Sequence, residues 1–320
     1  MKLYPLQFEP IFKERIWGGE KLKTILHKPI KSKTTGESWE LSGVEGSVSI
    51  VSNGVLSGRS LADLVNENPN EILGGVVYEK FGVQFPLLFK FLDAKEDLSI
   101  QVHPNDELAK KRHNSLGKTE MWYVMQADAG SKVIVGFKKN SNAGECVRYL
   151  NDGNLSSLLD EIVVKEGDVF FLDTGTVHAI GAGLVIAEIQ QTSDVTYRLY
   201  DFDRRDAQGN KRELHVDQAL EAINYEKVKA LTSYTKEVNE ANVVIDCPYF
   251  TTNFVPLSGT LPVKKTGDTF TVYMCVDGTF TITYEGIVYN YKKGDTVLLP
   301  AAIREYELNG KASILEIYIS

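Results

Sequence analysis

A chain of 320 residues is long enough for about two domains of ordinary size. Hydrophobic residues make up 43% and charged residues 24%, a balance that excludes a disordered polymer and a bundle of membrane spans. A net charge of −8 disfavours nucleic acid and anionic membranes, which need a broad positive field; a small anion needs only a few local Lys or Arg side chains and stays allowed.

Met1 to Pro10 carries no sustained apolar run, so no signal peptide is expected. The best apolar run, Phe85 to Phe89, is cut by Lys90 and is too short to cross a bilayer. These features lead to the expectation of a cytoplasmic protein. Three widely spaced cysteines, Cys146, Cys247 and Cys275, argue against a disulfide framework or a Cys-rich metal site.

In chain order, Ser60-Leu-Ala-Asp63 reads as a helix cap feeding Leu61, Leu64 and Val65. Strand-like runs follow at Leu87–Leu92 and Leu98–Val102, and Pro104 stands where a first helical turn begins, before Asp106–Arg112. Met121–Met125 and Lys132–Phe137 are strands, Leu155–Leu159 a helical patch, Val169–Leu172 and Leu184–Gln190 strands, and Val216–Tyr225 a helix. Residues 226–242 are polar without alternation, which places a domain junction there and divides the chain into 1–235 and 236–320. Thr269–Val276, Thr279–Tyr284, Thr296–Leu299 and Ser313–Ile319 complete a mainly β chain.

An internal echo joins the halves. Lys165-Glu-Gly-Asp168 before Val-Phe-Phe-Leu172 recurs as Lys292-Lys-Gly-Asp295 before Thr-Val-Leu-Leu299, a turn feeding a buried strand each time. The first copy leads on to His178; the second leads to Arg304 and Glu305, so a metal ligand is expected only in the first.

Period-2 alternation in Ser99-Ile-Gln-Val-His103 sends Ser99, Gln101 and His103 to one face, and Lys118, Glu120 and Trp122 share a face in the same way. With His178, two imidazoles, a carboxylate and an amide oxygen suit Zn²⁺ with an open position; two imidazoles and a carboxylate equally suit non-heme Fe(II). Ligand types alone do not choose the metal.

Leu98-Ser-Ile-Gln-Val-His-Pro104, Gly117-Lys-Thr-Glu120, His178-Ala-Ile and Ser193-Asp-Val-Thr-Tyr-Arg198 resemble the signature segments of type I mannose-6-phosphate isomerases in their short bacterial form. Arg15-Ile-Trp-Gly-Gly19 and Gly36-Glu-Ser-Trp-Glu40 extend the likeness over nearly the whole chain. The resemblance implies a bicupin, two jelly-roll β-barrels with a few short helices, whose first barrel is catalytic and whose second is degenerate. It implies one Zn²⁺ held by Gln101, His103, Glu120 and His178, with Arg198 as principal catalytic residue, Glu188 and Asp194 nearby, and Lys90, Ser99 and Lys118 facing a phosphorylated sugar. Longer members carry a histidine before the lysine that matches Lys118; here the residue is Gly117, so no role of that histidine transfers.

Interconverting an aldose and a ketose phosphate requires a base beside a carbonyl and a partner for the developing oxyanion. Arg198 and a metal suit the second task; Glu188, on the strand after His178, is the candidate base, its tuning open because opposite charges lower and burial raises a carboxylate's pKa, while Asp194 is open between assisting ring opening and capping the turn before Tyr197. The rival readings are a cupin oxygenase using Fe(II), against which Gln101 and the neighbouring cations argue, and a non-catalytic sugar-binding cupin. A monomer or weak homodimer is expected.

Overall fold

The computed structural model describes residues 2–206 and 208–320. Mainly β, it contains three antiparallel sheets. The first sheet runs, in spatial order, Ile11–Gly19, Thr35–Leu41, Leu87–Ala94, Leu184–Gln191, Glu120–Ala127, Val169–Leu172 and Leu231–Thr232. The second runs Tyr197–Tyr200, Ile100–Val102, His178–Ile180, Lys132–Phe137 and Leu159–Val163. Their facing sides share one core, with Leu92, Trp122, Val124 and Ile186 from the first meeting Val133, Val135 and Ile180 from the second. These two sheets form the first barrel.

The third sheet runs Asn242–Asp246, Thr251–Lys264, Glu305–Tyr318, Thr271–Tyr284 and Ile287–Lys292, with Thr296–Leu299 paired to Thr271–Tyr284. It encloses a second core of Tyr273, Cys275, Phe280, Tyr291, Val297 and Ile314.

Alternation decides what lies between the barrels. Trp122 and Val124 point into the first barrel, so Met121, Tyr123 and Met125 point out of it; likewise Tyr273 and Cys275 point into the second, and Val272, Met274 and Val276 point out. The outward rows meet in a shared core that includes Phe89, Phe91, Phe254, Phe270 and Ile317. Because both faces of these strands are buried, they read as nearly continuous apolar runs rather than clean alternation.

The repeated motif is repeated geometry. Asp168 Oδ2 accepts Lys165 N–H at 3.0 Å and Asp295 Oδ2 accepts Lys292 N–H at 3.0 Å. Val124 N–H donates to Asp168 O and Cys275 N–H to Asp295 O, both at 2.9 Å. Gly167 and Gly294 take φ of 85° and 90°, a region where a side chain would be strained.

Some elements differ from their sequence expectation. Leu155–Leu159 is not a helix: only Leu155–Ser157 makes a 3-10 turn, and Leu159 opens a strand because the following residues pair with Lys132–Phe137. Thr269–Val276 and Thr279–Tyr284 are one strand, Thr271–Tyr284, since Asp277 and Gly278 pair with Ser313 and Ala312 of Glu305–Tyr318, after a register shift at Val276, instead of turning. Pro104 lies just before the helix Asp106–His113 rather than in its first turn, and Asn105 caps that helix, accepting Leu108 N–H at 2.9 Å. The helix at 216 ends at Ala222. Ser60 caps Leu61–Glu67 as the sequence indicates.

All three tryptophans, Trp17, Trp39 and Trp122, lie in the first sheet. Tryptophan fluorescence therefore reports the first barrel, while far-ultraviolet circular dichroism reports both. Because the two barrels share a core, the urea transitions seen by the two probes are expected to coincide. Phe270→Ala, in that core, should move both together with a loss of about 3–5 kcal/mol. Separated transitions would show that the barrels unfold independently.

Candidate metal centre and substrate cavity

Three buried side chains meet between the two sheets of the first barrel: His103, Glu120 and His178, whose ligand atoms all lie within 4.8 Å of one another. Each comes from an element end. His103 follows the strand Ile100–Val102, Glu120 opens Glu120–Ala127 and His178 opens His178–Ile180. Gln101 pairs across the sheet with His178, and its amide lies 3.3 Å from His178 Nε2.

The backbone sets both imidazole tautomers. Nδ1 of His103 lies 2.9 Å from Val195 O, and Nδ1 of His178 lies 2.8 Å from Thr176 O. A carbonyl only accepts, so each Nδ1 carries the hydrogen and each Nε2 turns a lone pair inward. Burial holds both imidazoles neutral, pushing His103 well below the usual histidine range and His178 down as well.

Those lone pairs face a carboxylate. His103 Nε2 lies 3.5 Å from Glu120 Oε2, and His178 Nε2 lies 3.4 Å from Glu120 Oε1. Lys118 Nζ relieves one side, donating to His103 Nε2 at 2.9 Å and to Glu120 Oε2 at 2.5 Å. Glu120 Oε1 is left buried with no hydrogen-bond partner. Two inward lone pairs and an orphaned anionic oxygen call for a cation, and the donor set of two imidazoles and a carboxylate fits a divalent metal.

A cavity of about 480 Å³ opens beside this centre, within the range typical of small-ligand sites. Most of its cations are already paired. Arg15 meets Glu37 at 2.7 Å, Lys90 meets Glu188 at 2.9 Å, and Arg212 grips Asp201 through Nε at 2.7 Å and Nη2 at 2.5 Å. Burial opposes the charges on Lys90 and Glu188, yet each sustains the other: Lys90 is held above the usual lysine range and Glu188 well below the usual carboxylate range. Trp122 Nε1 also donates to Glu188, at 3.1 Å.

Arg198 differs. Among the described residues no carboxylate lies within ion-pair distance of its guanidinium; it donates instead to Ser99 Oγ at 3.3 Å and Glu213 O at 2.9 Å. Burial and the neighbouring Arg212 push it down from the usual arginine range. Ser99 Oγ in turn donates to Gln101 Oε1 at 3.4 Å, so one hydroxyl links the guanidinium to Gln101, which neighbours His178. Asp194 lines the same cavity as an exposed carboxylate.

Residues 5–131 match the type I phosphomannose isomerase catalytic domain, and residues 239–319 match the mannose-6-phosphate isomerase cupin domain. Over 98% of its length the chain is 38% identical to the Bacillus subtilis mannose-6-phosphate isomerase ManA, 99% of which is covered. It is 38% identical to the Streptococcus mutans mannose-6-phosphate isomerase over 97% of both chains. The chain belongs to the type I phosphomannose isomerases.

The crystal structure of a mannose 6-phosphate isomerase from Bacillus subtilis superposes with a TM-score of 0.91 at 34% identity, covering 99% of this chain and all of that one. Apo phosphomannose isomerase from Salmonella typhimurium, at 17% identity, shares the fold with a TM-score of 0.79.

Within this type I phosphomannose isomerase, every residue singled out in the sequence reaches either the metal cluster or the cavity. Gln101, Ser99, Lys90, Lys118, Glu188, Asp194 and Arg198 line the cavity; His103, Glu120 and His178 form the cluster behind it. Lys118 is drawn inward onto His103 and Glu120. Arg15, Glu37 and Arg212, given no role from sequence, also line the wall. Arg212 lies beyond Arg198 in a polar loop without periodicity, so no local pattern marks it; Glu37 stands inside a motif segment and was open to recognition there.

If the cluster holds the metal, His103→Ala and His178→Ala each lower metal affinity by more than about 100-fold, beyond what loss of an outer partner does. Metal content after dialysis against a chelator reads this directly. Full retention in both variants would place the metal elsewhere.

Proposed function

We propose that the chain interconverts mannose-6-phosphate and fructose-6-phosphate, with one Zn²⁺ per chain held by Gln101, His103, Glu120 and His178. The observation that carries this reading is a buried donor cluster with an unpartnered carboxylate oxygen, set directly behind a cavity that is lined by an arginine with no carboxylate of its own. Bound there, zinc would supply Lewis-acid polarisation of the sugar's oxygens.

The protein's own groups account for the rest. A proton leaves C2 of the open-chain aldose, its electron pair forms the C1–C2 double bond of an enediol, and the C1 oxygen takes up a proton; the C2 hydroxyl then gives up its proton, the C2 carbonyl forms, and the electron pair of the double bond takes a proton at C1 to give the ketose. Arg198 meets the negative charge that develops on oxygen, and Ser99 fixes its orientation. Of Glu188 and Asp194, both lining the cavity, Asp194 is the freer to carry the proton. Glu188 is held ionised by Lys90 and occupied by Trp122, which makes it a weak acceptor at neutral pH and suits it to keep the Lys90 ammonium aimed at the substrate. Lys90 and Lys118 on the inner wall, with Ser99, orient the sugar phosphate.

We place the division between catalytic and degenerate cupin units near residue 235. Among the described residues no helix is long and apolar enough to cross a membrane. A cytoplasmic enzyme working as a monomer or weak homodimer accords with the sequence.

Purified, metal-analysed protein should turn over mannose-6-phosphate in a coupled assay, lose activity to a chelator and regain it with zinc. Arg198→Ala should keep its zinc and lose about 10³-fold in kcat/KM, as removal of an oxyanion partner does. Asp194→Asn should lose about 10²-fold in kcat with KM little changed. Iron as the native metal with oxygen consumption would sink the isomerase reading; wild-type turnover by the Arg198 variant would sink its catalytic assignment.

A further inference from the structure

The turn between Asp246 and Thr251 belongs to the second barrel, yet its Tyr249 reaches into the first. Tyr249 Oη donates to Asp106 Oδ2 at 3.0 Å. Asp106 opens the helix Asp106–His113, and its other oxygen accepts Gly117 N–H at 2.7 Å and Gln191 Nε2 at 3.0 Å. Gln191 then closes the circuit: its Oε1 accepts Thr119 N–H at 2.9 Å. The backbone on either side of Lys118 is thus held by two side chains, and both hang from one carboxylate that the second barrel touches.

The segment so held is the one that aims Lys118 and Glu120 at the metal cluster. Its fit is tight. A Cβ on Gly117 would lie 2.7 Å from Asp106 N and 2.8 Å from Asn105 C, closer than real contacts allow, so the chain lies flush against the start of that helix. A histidine at this position, as in longer members of the family, has no room here.

The turn carrying Tyr249 is itself anchored. Cys247 N–H donates to Phe250 O, Lys80 Nζ donates to Pro248 O at 2.7 Å, and Phe250 is fully buried in the core between the barrels. The hydroxyl is therefore presented from a fixed platform rather than from a free loop.

We infer that Tyr249 and Asp106 are positioning residues, through which the second barrel sets the strand that carries Glu120. The kinetic part of this inference rests on the isomerase reading; the exchange and metal-release parts do not.

Tyr249→Phe removes only the hydroxyl, and its test uses the full-length protein. In the metal-free form, amide exchange of a peptide covering 114–120 should quicken about three- to tenfold, the size one hydrogen bond carries, while peptides from the second barrel stay unchanged. Zinc loss to a chelator should speed up by a similar factor. For the loaded enzyme, kcat should fall with KM unmoved. Asp106→Asn should shift all three further, and adding Tyr249→Phe to it should cost little more, because both act along one path.

Wild-type exchange in 114–120 together with wild-type zinc release in Tyr249→Phe would overturn the inference. So would equal quickening across the second barrel, which marks general loosening. If the protein turns over no mannose-6-phosphate while exchange and zinc release shift as expected, the positioning role stands and only the reaction assignment falls.

Discussion

The structure turns on an electrostatic imbalance placed where water is scarce. Two backbone carbonyls fix the tautomers of His103 and His178, and the fixed tautomers aim two lone pairs at the carboxylate of Glu120. Nothing about the barrel core makes that arrangement favourable by itself, since like-signed electron density converges in a low-dielectric gap. Lys118 neutralises half of it and leaves Glu120 Oε1 unpaired. A site of this kind suits a cation, and the two sheets of the barrel hold its donor atoms in place.

The second barrel shows what the same scaffold does without that imbalance. Glu120 pairs with Leu172 and Thr271 pairs with Leu299, so a threonine stands where the metal-facing carboxylate would be. In the same register Tyr273 answers to Trp122, Glu316 to Glu188 and Asn253 to Lys90. The hydrogen bonds correspond too: Tyr273 Oη donates to Glu316 at 2.9 Å as Trp122 Nε1 does to Glu188, and Asn253 Nδ2 donates to Glu316 at 2.9 Å as Lys90 Nζ does to Glu188. Lys265 then caps the Glu316 carboxylate at 2.6 Å. The buried glutamate with its aromatic donor belongs to the scaffold; the histidines and the open cavity belong to the first barrel.

This correspondence also explains which parts of the molecule were legible in the sequence. The Lys-x-Gly-Asp turns were visible because a left-handed glycine and an aspartate that closes the turn are local requirements. The buried cluster was visible in part because period-2 alternation puts Ser99, Gln101 and His103 on one face, and the family resemblance pointed to Glu120 and His178. Pairing across the sheets was not visible. The match of Glu316 to Glu188 depends on strand register between residues far apart in sequence, as does the strand at Leu159–Val163 that a local reading takes for a helix. Tyr249 was hidden for the same reason, since its partner Asp106 lies 143 positions earlier in the chain, and Arg212 was hidden because its loop carries no periodic signal.

Charge pairing inside the cavity reconciles an acidic protein with an anionic substrate. Arg15, Lys90, Lys118 and Arg212 each carry a carboxylate partner, so their charges are largely spent on holding walls in place. Arg198 carries none, and its bonds to Ser99 and to the carbonyl of Glu213 orient it without neutralising it. A net charge of −8 spread over the surface is screened within about 10 Å at moderate salt, whereas a half-buried guanidinium without a counter-ion acts locally. On the proposed reading Arg198 is the cation left to meet a developing negative charge, while the ion pairs of Lys90 and Lys118 hold those two ammonium groups in fixed positions on the inner wall.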